Sequence, residues 1–128
     1  LKIDNNTSFQ TIESFPASDC WLPNDIGTYG DEPVKAEIAK LLFSGEIKNR
    51  KPDGIGLSGW RFNLGGGTAN QGAASGIDDE SRRAESFMDP SDGSLDWPKQ
   101  AGQQYFLRMA KESFMTEQFL MFSNTPPV

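Results

Sequence analysis

The chain has 128 residues, of which 36% are hydrophobic and 23% charged, and its formal net charge at pH 7 is −6. This composition is typical of a folded protein with a core, and the acidic balance argues against nucleic acid and anionic membrane surfaces as partners. The chain contains no histidine and a single cysteine, Cys20, which excludes histidine-dependent triads and an internal disulfide and argues against a zinc site. No apolar run approaches about 18 residues, so no membrane span is predicted.

The first third of the chain predicts a strand, a loop and a helix. Residues 8–15 have the β-branched and aromatic character of a strand, which Pro16 is expected to end. Residues 17–27 show no sustained period and predict a loop, in which Pro23 and Gly27 are interpreted as breaks. A helix is expected to begin near Asp31, a candidate N-cap, because apolar residues follow at helical spacing, and to close at Gly45.

A polar turn at residues 48–54 is expected to lead into a second strand over residues 55–64. Ser58-Gly59 is interpreted as a bulge that resets the alternation of apolar and polar residues. The apolar face is expected to hold Trp60, Phe62 and Leu64, and the polar face Arg61 and Asn63. In a barrel wrapped by helices, the polar face would point into the barrel.

The second half of the chain predicts a long loop, a helix and a strand. Residues 65–96 are rich in Gly, Ser, Asp and Ala, with a short helical turn expected at 79–87, and loops of this length usually carry function. A helix is expected over residues 97–113. Residues 118–122 form an almost continuous apolar strand, which predicts that both of its faces are covered. This element order is typical of an α/β protein with parallel strands.

Two other motifs favour structural interpretations. The triple glycine Gly65–Gly67 lacks the Lys-Ser/Thr of a Walker motif and the third glycine of a dinucleotide fingerprint, which argues against nucleotide binding. The acidic run at residues 78–80 does not fit an EF-hand loop, and a solvated turn is favoured over a cation site. Arg82 and Arg83 are expected to pair with these acids.

Five blocks, in order along the chain, resemble glycoside hydrolases of family 30, and most closely the endo-β-1,6-galactanase-like branch. They read FPASDCW at residues 15–21, GIGLSGWRFNLGGG at 54–67, RRAESF at 82–87, DWPKQAGQ at 96–103 and FSNTPPV at 122–128. One departure is Pro16, where relatives usually carry glycine.

The resemblance implies a larger enzyme of which residues 1–128 are the N-terminal portion. Family members have a (β/α)₈ TIM barrel, and the chain would supply its front, about three parallel strands with intervening helices. A whole barrel needs roughly 250 residues. The family hydrolyses glycosides with retention through two Glu residues near the ends of the fourth and seventh barrel strands, so neither catalytic carboxylate is expected in this chain. The implied partners are a β-linked polysaccharide, with β-1,6-galactan as the expected one, and the remainder of the barrel, with no cofactor or metal.

The same resemblance implies which residues of this chain would support the catalytic carboxylates and contact the substrate. Arg61 matches the second-strand arginine that neighbours the catalytic carboxylates, where a fixed guanidinium would hold the nucleophile ionised. Substrate contacts are expected from residues at the ends of the strands and in the turns that follow. These residues are Asp19, Trp21, Asn63, Gly66, Thr68 and Asn124, with Ser123 beside the last of them.

Simpler alternatives remain open for several of these residues. Arg61 would otherwise form a structural ion pair at a strand end, and Asn63 would satisfy loop backbone. Asp19 would be an ordinary cap or turn residue, and Trp21 would belong to the core.

The whole chain also admits a rival function, a non-catalytic carbohydrate-binding or interaction fragment. A half barrel alone would expose two sheet edges and be poorly soluble. A start at Leu1 suits either a mature protein without its signal peptide or a simple boundary, and a secreted, periplasmic or cell-surface location is expected.

Overall fold

The computed structural model of the protein describes residues 4 and 6–125. Leu1 and the Pro126–Val128 end of the last sequence block, both used in the sequence analysis, lie outside the described residues.

The centre of the fold is a three-stranded parallel sheet in the order β1 (Pro16–Ser18), β4 (Gly59–Asn63), β5 (Gln118–Phe122). Each strand thus neighbours the next one of this sheet along the chain, and helices lie between them. The predicted α/β class with three parallel strands is confirmed. All three carboxyl ends lie at the same edge of the sheet.

The first strand begins where the sequence predicted that it would end. Residues 8–15 form no strand, and β1 begins at Pro16, which pairs with Gly59. Proline has no N–H to donate, but at the first position of a strand on the edge of a sheet no ladder hydrogen bond is lost. The interpretation of Pro16 as a terminator was therefore wrong.

The predicted loop at residues 17–27 is also wrong, because it contains the helix α1 (Leu22–Tyr29). Pro23 lies in the first turn of α1, where a missing N–H costs nothing. Gly27 is not a breaker but a contact point: a Cβ at Gly27 would overlap the backbone of Gly102 in α4 (Ala101–Arg108). Two glycines thus let α1 and α4 pack closely.

The second helix agrees with its prediction. Helix α2 (Glu32–Phe43) follows Asp31 at the N-cap position, although the Asp31 side chain makes no capping hydrogen bond. The predicted polar turn after α2 is a small antiparallel hairpin, β2 (Ile47–Lys48) and β3 (Lys51–Pro52).

Strand β4 is shorter than predicted, since residues 55–58 are not part of it and no bulge is formed there. The backbone amides of Ile55 and Leu57 donate to carbonyls of α2 instead, which anchors this segment to the helix. The predicted division of faces is right for the strand itself. Trp60 is 3% exposed and meets Phe43 of α2 edge to face at 5.0 Å between ring centroids.

The segment between β4 and α4 contains short helical turns within a long connection. Helix α3 (Thr68–Gln71) continues into a 3₁₀ turn at Gly72–Ser75, and a second 3₁₀ turn covers Glu80–Arg82. Helix α4 begins at Ala101, four residues later than predicted, and continues as a π-helical turn over Met109–Ser113.

The face of the sheet opposite the helices is uncovered in the described chain. Leu120 of β5 is 58% exposed. The prediction that both faces of this strand are covered by other elements is therefore not met within residues 6–125. Among the described strands, β1 and β5 each pair on one side only, which leaves the two outer edges expected from the sequence. An open groove of about 440 Å³ crosses this region from Pro16 to Leu120. Among the described helices, none has the length and apolar character needed to cross a bilayer.

Candidate functional site

The candidate site lies at the carboxyl ends of the three parallel strands. Asp19 directly follows β1, Asn63 ends β4, and Asn124 comes two residues after β5. The strand register aligns Ser18 with Arg61 and Asn63 with Phe122. The sheet thus brings together residues that are more than 100 positions apart in the sequence.

Arg61 points to the uncovered face and is held from two sides. Its Nη2 donates to Oδ1 of Asn124 at 3.0 Å, and its guanidinium lies over the Phe122 ring, 4.0 Å from the centroid. Within residues 6–125, no carboxylate oxygen lies within 4.0 Å of the Arg61 nitrogens, so the structural ion pair considered for Arg61 is not formed there. The charge of the guanidinium remains available to a further group.

Asp19 is completely buried and joins β1 to β4. Its backbone amide donates to the carbonyl of Arg61 at 3.1 Å, and its Oδ1 accepts the backbone N–H of Asn63 at 2.9 Å. Burial raises the pKa of Asp19 to about 6, opposed by the Asn63 N–H, the nearby Gln103 amide and the Arg61 charge. A carboxyl in this position titrates in a range where ordinary aspartates are fully ionised.

The turn after β4 is organised by buried amides. The Oδ1 of Asn63 accepts the backbone N–H of Gly65 at 3.0 Å, which agrees with the interpretation that Asn63 satisfies loop backbone. Gly65 has φ +78°, and a Cβ there would overlap the carbonyl of Glu85. Gln100 binds that same residue twice: its backbone N–H donates to Oε2 at 2.9 Å and its Nε2 to the main-chain oxygen at 3.0 Å.

Gly66 and Thr68 are both buried in this turn. A Cβ at Gly66 would overlap Thr125, so the chain after β5 packs directly on the glycine backbone. The Thr68 hydroxyl accepts the backbone N–H of Ala84 at 2.7 Å, which ties the turn to the long connection. In the described chain, the contacts of both residues are therefore internal.

Trp21 lies at the N-cap of α1 with φ 49°, a backbone conformation that is uncommon for a bulky residue. The Arg82 guanidinium stands over its ring, 4.8 Å from the centroid. The expected pairing of the two arginines with acids is thus confirmed only for Arg83, whose Nη1 is 3.1 Å from Oε1 of Glu80. Trp21 also borders a small polar cavity of about 60 Å³ together with Asn63.

The structure therefore connects four predicted residues directly, namely Asp19, Arg61, Asn63 and Asn124, and places Gly66, Thr68 and Trp21 around them. The sequence analysis did not single out Glu85, Gln100 or Gln103. A signal for the two glutamines was their spacing: Gln100, the N-cap of α4, and Gln103 precede the core residue Phe106 at intervals of three, which places amides on the core side of the predicted helix.

Comparison with known proteins identifies the family. The profile of O-glycosyl hydrolase family 30 matches residues 1–128. No curated protein matches the chain. A solved structure, the crystal structure of a conserved exported protein from Bacteroides fragilis, is similar at 39% identity and a TM-score of 0.85 over 98% of this chain. The chain spans 25% of the length of that structure. The chain belongs to glycosyl hydrolase family 30.

Proposed function

We propose that the chain is the front portion of the (β/α)₈ catalytic domain of a secreted, retaining glycoside hydrolase that cleaves a β-linked polysaccharide, with β-1,6-galactan as the first substrate to test. The two catalytic Glu residues would come from strands beyond Val128. The observation that carries the proposal is Arg61, a half-buried cation in the middle of the central strand β4, level with the carboxyl end of β1 and without a carboxylate partner in the described chain.

The sheet supports the barrel part of this proposal. Strands β1, β4 and β5 pair in chain order and in parallel, as the first three strands of a barrel do. The exposed face that carries Arg61 and Leu120 would become the barrel interior, and the β1 and β5 edges would each gain a neighbour. The match to a structure four times as long is compatible with further strands.

The chemistry gives Arg61 a specific task. A retaining glycosidase needs one carboxylate to attack the anomeric carbon and a carboxylic acid about 5–5.5 Å away to protonate the leaving oxygen. A guanidinium beside the nucleophile lowers its pKa and keeps it ionised. Arg61 would do this with its position fixed by Asn124 and Phe122.

The substrate contacts are proposed at the same edge of the sheet. Asn124 and Trp21 would contact sugar through an amide and a ring face, respectively. The buried residues Asn63, Gly66 and Thr68 would act through the shape of the turn that borders the cleft. Asp19 was expected to contact sugar as well, but its complete burial favours another task, developed below.

The test is hydrolysis by the full-length protein. We expect reducing sugars to be released from β-1,6-galactan and not from β-1,3-galactan, and we expect the first product to retain the β configuration by proton NMR. Release of the α anomer would contradict the retaining mechanism. Binding of galactan with no turnover would instead favour the non-catalytic alternative. Export is tested by locating the native protein in cell fractions, and the similar exported protein from Bacteroides fragilis supports this expectation.

A further inference from the structure

Asp19 occupies a position that neither a cap nor a turn explains. The N-cap of α1 is Trp21, where no side chain makes a capping hydrogen bond, so Asp19 does not cap that helix. Its side chain is 0% exposed, so no sugar hydroxyl reaches it in the described chain. Oδ1 accepts the Asn63 N–H, whereas Oδ2 is buried without a hydrogen-bond partner among the described residues.

The contacts of Asp19 connect the end of β1 to two residues of β4, Arg61 and Asn63. Its backbone amide is bound to the carbonyl of Arg61, and its carboxyl is bound two residues later, to the amide of Asn63. Asn63 in turn binds the N–H of Gly65 through Oδ1. A single residue therefore spans the segment that presents the guanidinium and starts the glycine turn.

We propose that Asp19 is a positioning residue, which clamps the carboxyl end of β1 to the Arg61–Gly65 segment and thereby fixes the guanidinium and the glycine turn relative to the sheet. This inference rests on the proposed function for its consequence in catalysis. The clamp itself is a property of the fold and is testable without activity.

The electrostatics provide a signature for the clamp. Arg61 from β4 is the charged group that acts on the Asp19 carboxyl among the described residues, while Asn63 from β4 and Gln103 from α4 are neutral. The pKa of Asp19 is about 6 in the folded chain against an ordinary value of 3.8. The folded protein therefore binds the proton more tightly. The contribution of Asp19 to stability is therefore fully present below about pH 4 and is lost as pH rises to about 6, where the buried carboxyl ionises.

The first experiment measures hydrogen exchange in the full-length protein. The peptide that covers residues 59–67 is compared between wild type, Asp19→Ala and Asp19→Asn, with Asp92→Asn as a control because Asp92 is exposed and accepts only from its own turn. We expect exchange at least tenfold faster in Asp19→Ala. Asp19→Asn should stay near wild type, since its amide oxygen still accepts the Asn63 N–H. Equal protection in wild type and Asp19→Ala would overturn the clamp.

The second experiment follows thermal unfolding from pH 4 to pH 7. The unfolding constant of wild type, relative to Asp19→Asn, should rise about 50-fold across this range, because each unit of pKa difference is tenfold and the unfolded carboxyl is already partly ionised at pH 4. Parallel pH profiles of the two proteins would contradict a buried titrating carboxyl in the clamp. Because this comparison uses only wild type and Asp19→Asn, it tests the clamp even if Asp19→Ala does not fold.

The third experiment connects the clamp to catalysis. Asp19→Ala should lower kcat at least tenfold with KM within twofold, and Asp19→Asn should restore most of kcat below pH 6. A raised KM with unchanged kcat would identify a sugar contact and overturn the positioning role. If wild type hydrolyses no polysaccharide, the proposed function fails, while hydrogen exchange and pH-dependent unfolding still decide the clamp.

Discussion

Replacement of Arg61 by alanine tests the central chemical argument. The structure sets the cost to stability: one exposed hydrogen bond to Asn124 and one ring contact with Phe122 are lost. These interactions contribute about 0.5–1.5 and about 0.5–1 kcal/mol, so Arg61→Ala should fold and melt within a few degrees of wild type. The cost to activity is larger, because removal of a preorganised charge from an active site lowers kcat by about 10²- to 10³-fold.

The pH profile gives the sharper readout of the same variant. Without the neighbouring cation, the pKa of the nucleophile should rise by about 1–3 units, so the acid limb of kcat/KM should move to higher pH by that amount. The assay is initial-rate hydrolysis of β-1,6-galactan by the full-length protein between pH 3 and pH 8. Arg61→Lys should keep the acid limb near wild type but lose part of kcat. Lysine retains the positive charge but lacks the planar guanidinium and its fixed hydrogen-bond donors.

A matched control is Arg108→Ala, which removes an exposed arginine from α4 and should leave the pH profile unchanged. Wild-type turnover in Arg61→Ala, or a loss of kcat with an unmoved acid limb, would refute the assigned role of Arg61. A large loss of melting temperature would show that Arg61 acts through the fold instead.

Three further predictions concern the packing of the chain and the tryptophan beside the site, and each uses the full-length protein. Gly102→Ala should destabilise by about 1–3 kcal/mol in urea unfolding, because its Cβ would overlap the backbone of Asn24, whereas Gly45→Ala, with open space around its Cβ, should be neutral or slightly stabilising. Trp60→Ala should cost about 3–5 kcal/mol in the same measurement, since the ring fills the core between β4 and α2; a loss below 1 kcal/mol would contradict that packing. Arg82→Ala should uncover the Trp21 ring and lower KM for galactan with kcat unchanged, and an unaltered KM would place Trp21 outside the path of the sugar.

The prediction of which side chains share a face agreed with the structure where a single strand decided the outcome. Alternation along β4 was enough to separate Trp60 from Arg61, since successive side chains of any strand point to opposite faces. It could not show that Asn124 would hold the guanidinium, because that contact joins residues 63 positions apart. Nor could it show that Asp19 is buried, since burial depends on what packs over the end of β1.

The sequence by itself determined the α/β class, the helix α2, the strand β5 and, through its motifs, the family. These features follow from local periodicity and from blocks of residues that keep their order along the chain. Tertiary structure alone decided the start of β1 and the existence of α1. Pro16 and Gly27 look like breaks along the chain, but one begins a strand on the edge of the sheet and the other lets two helices touch. Proline and glycine act through the backbone, and whether a missing N–H or a missing Cβ disrupts an element or permits a contact depends on the neighbour that folding brings to it.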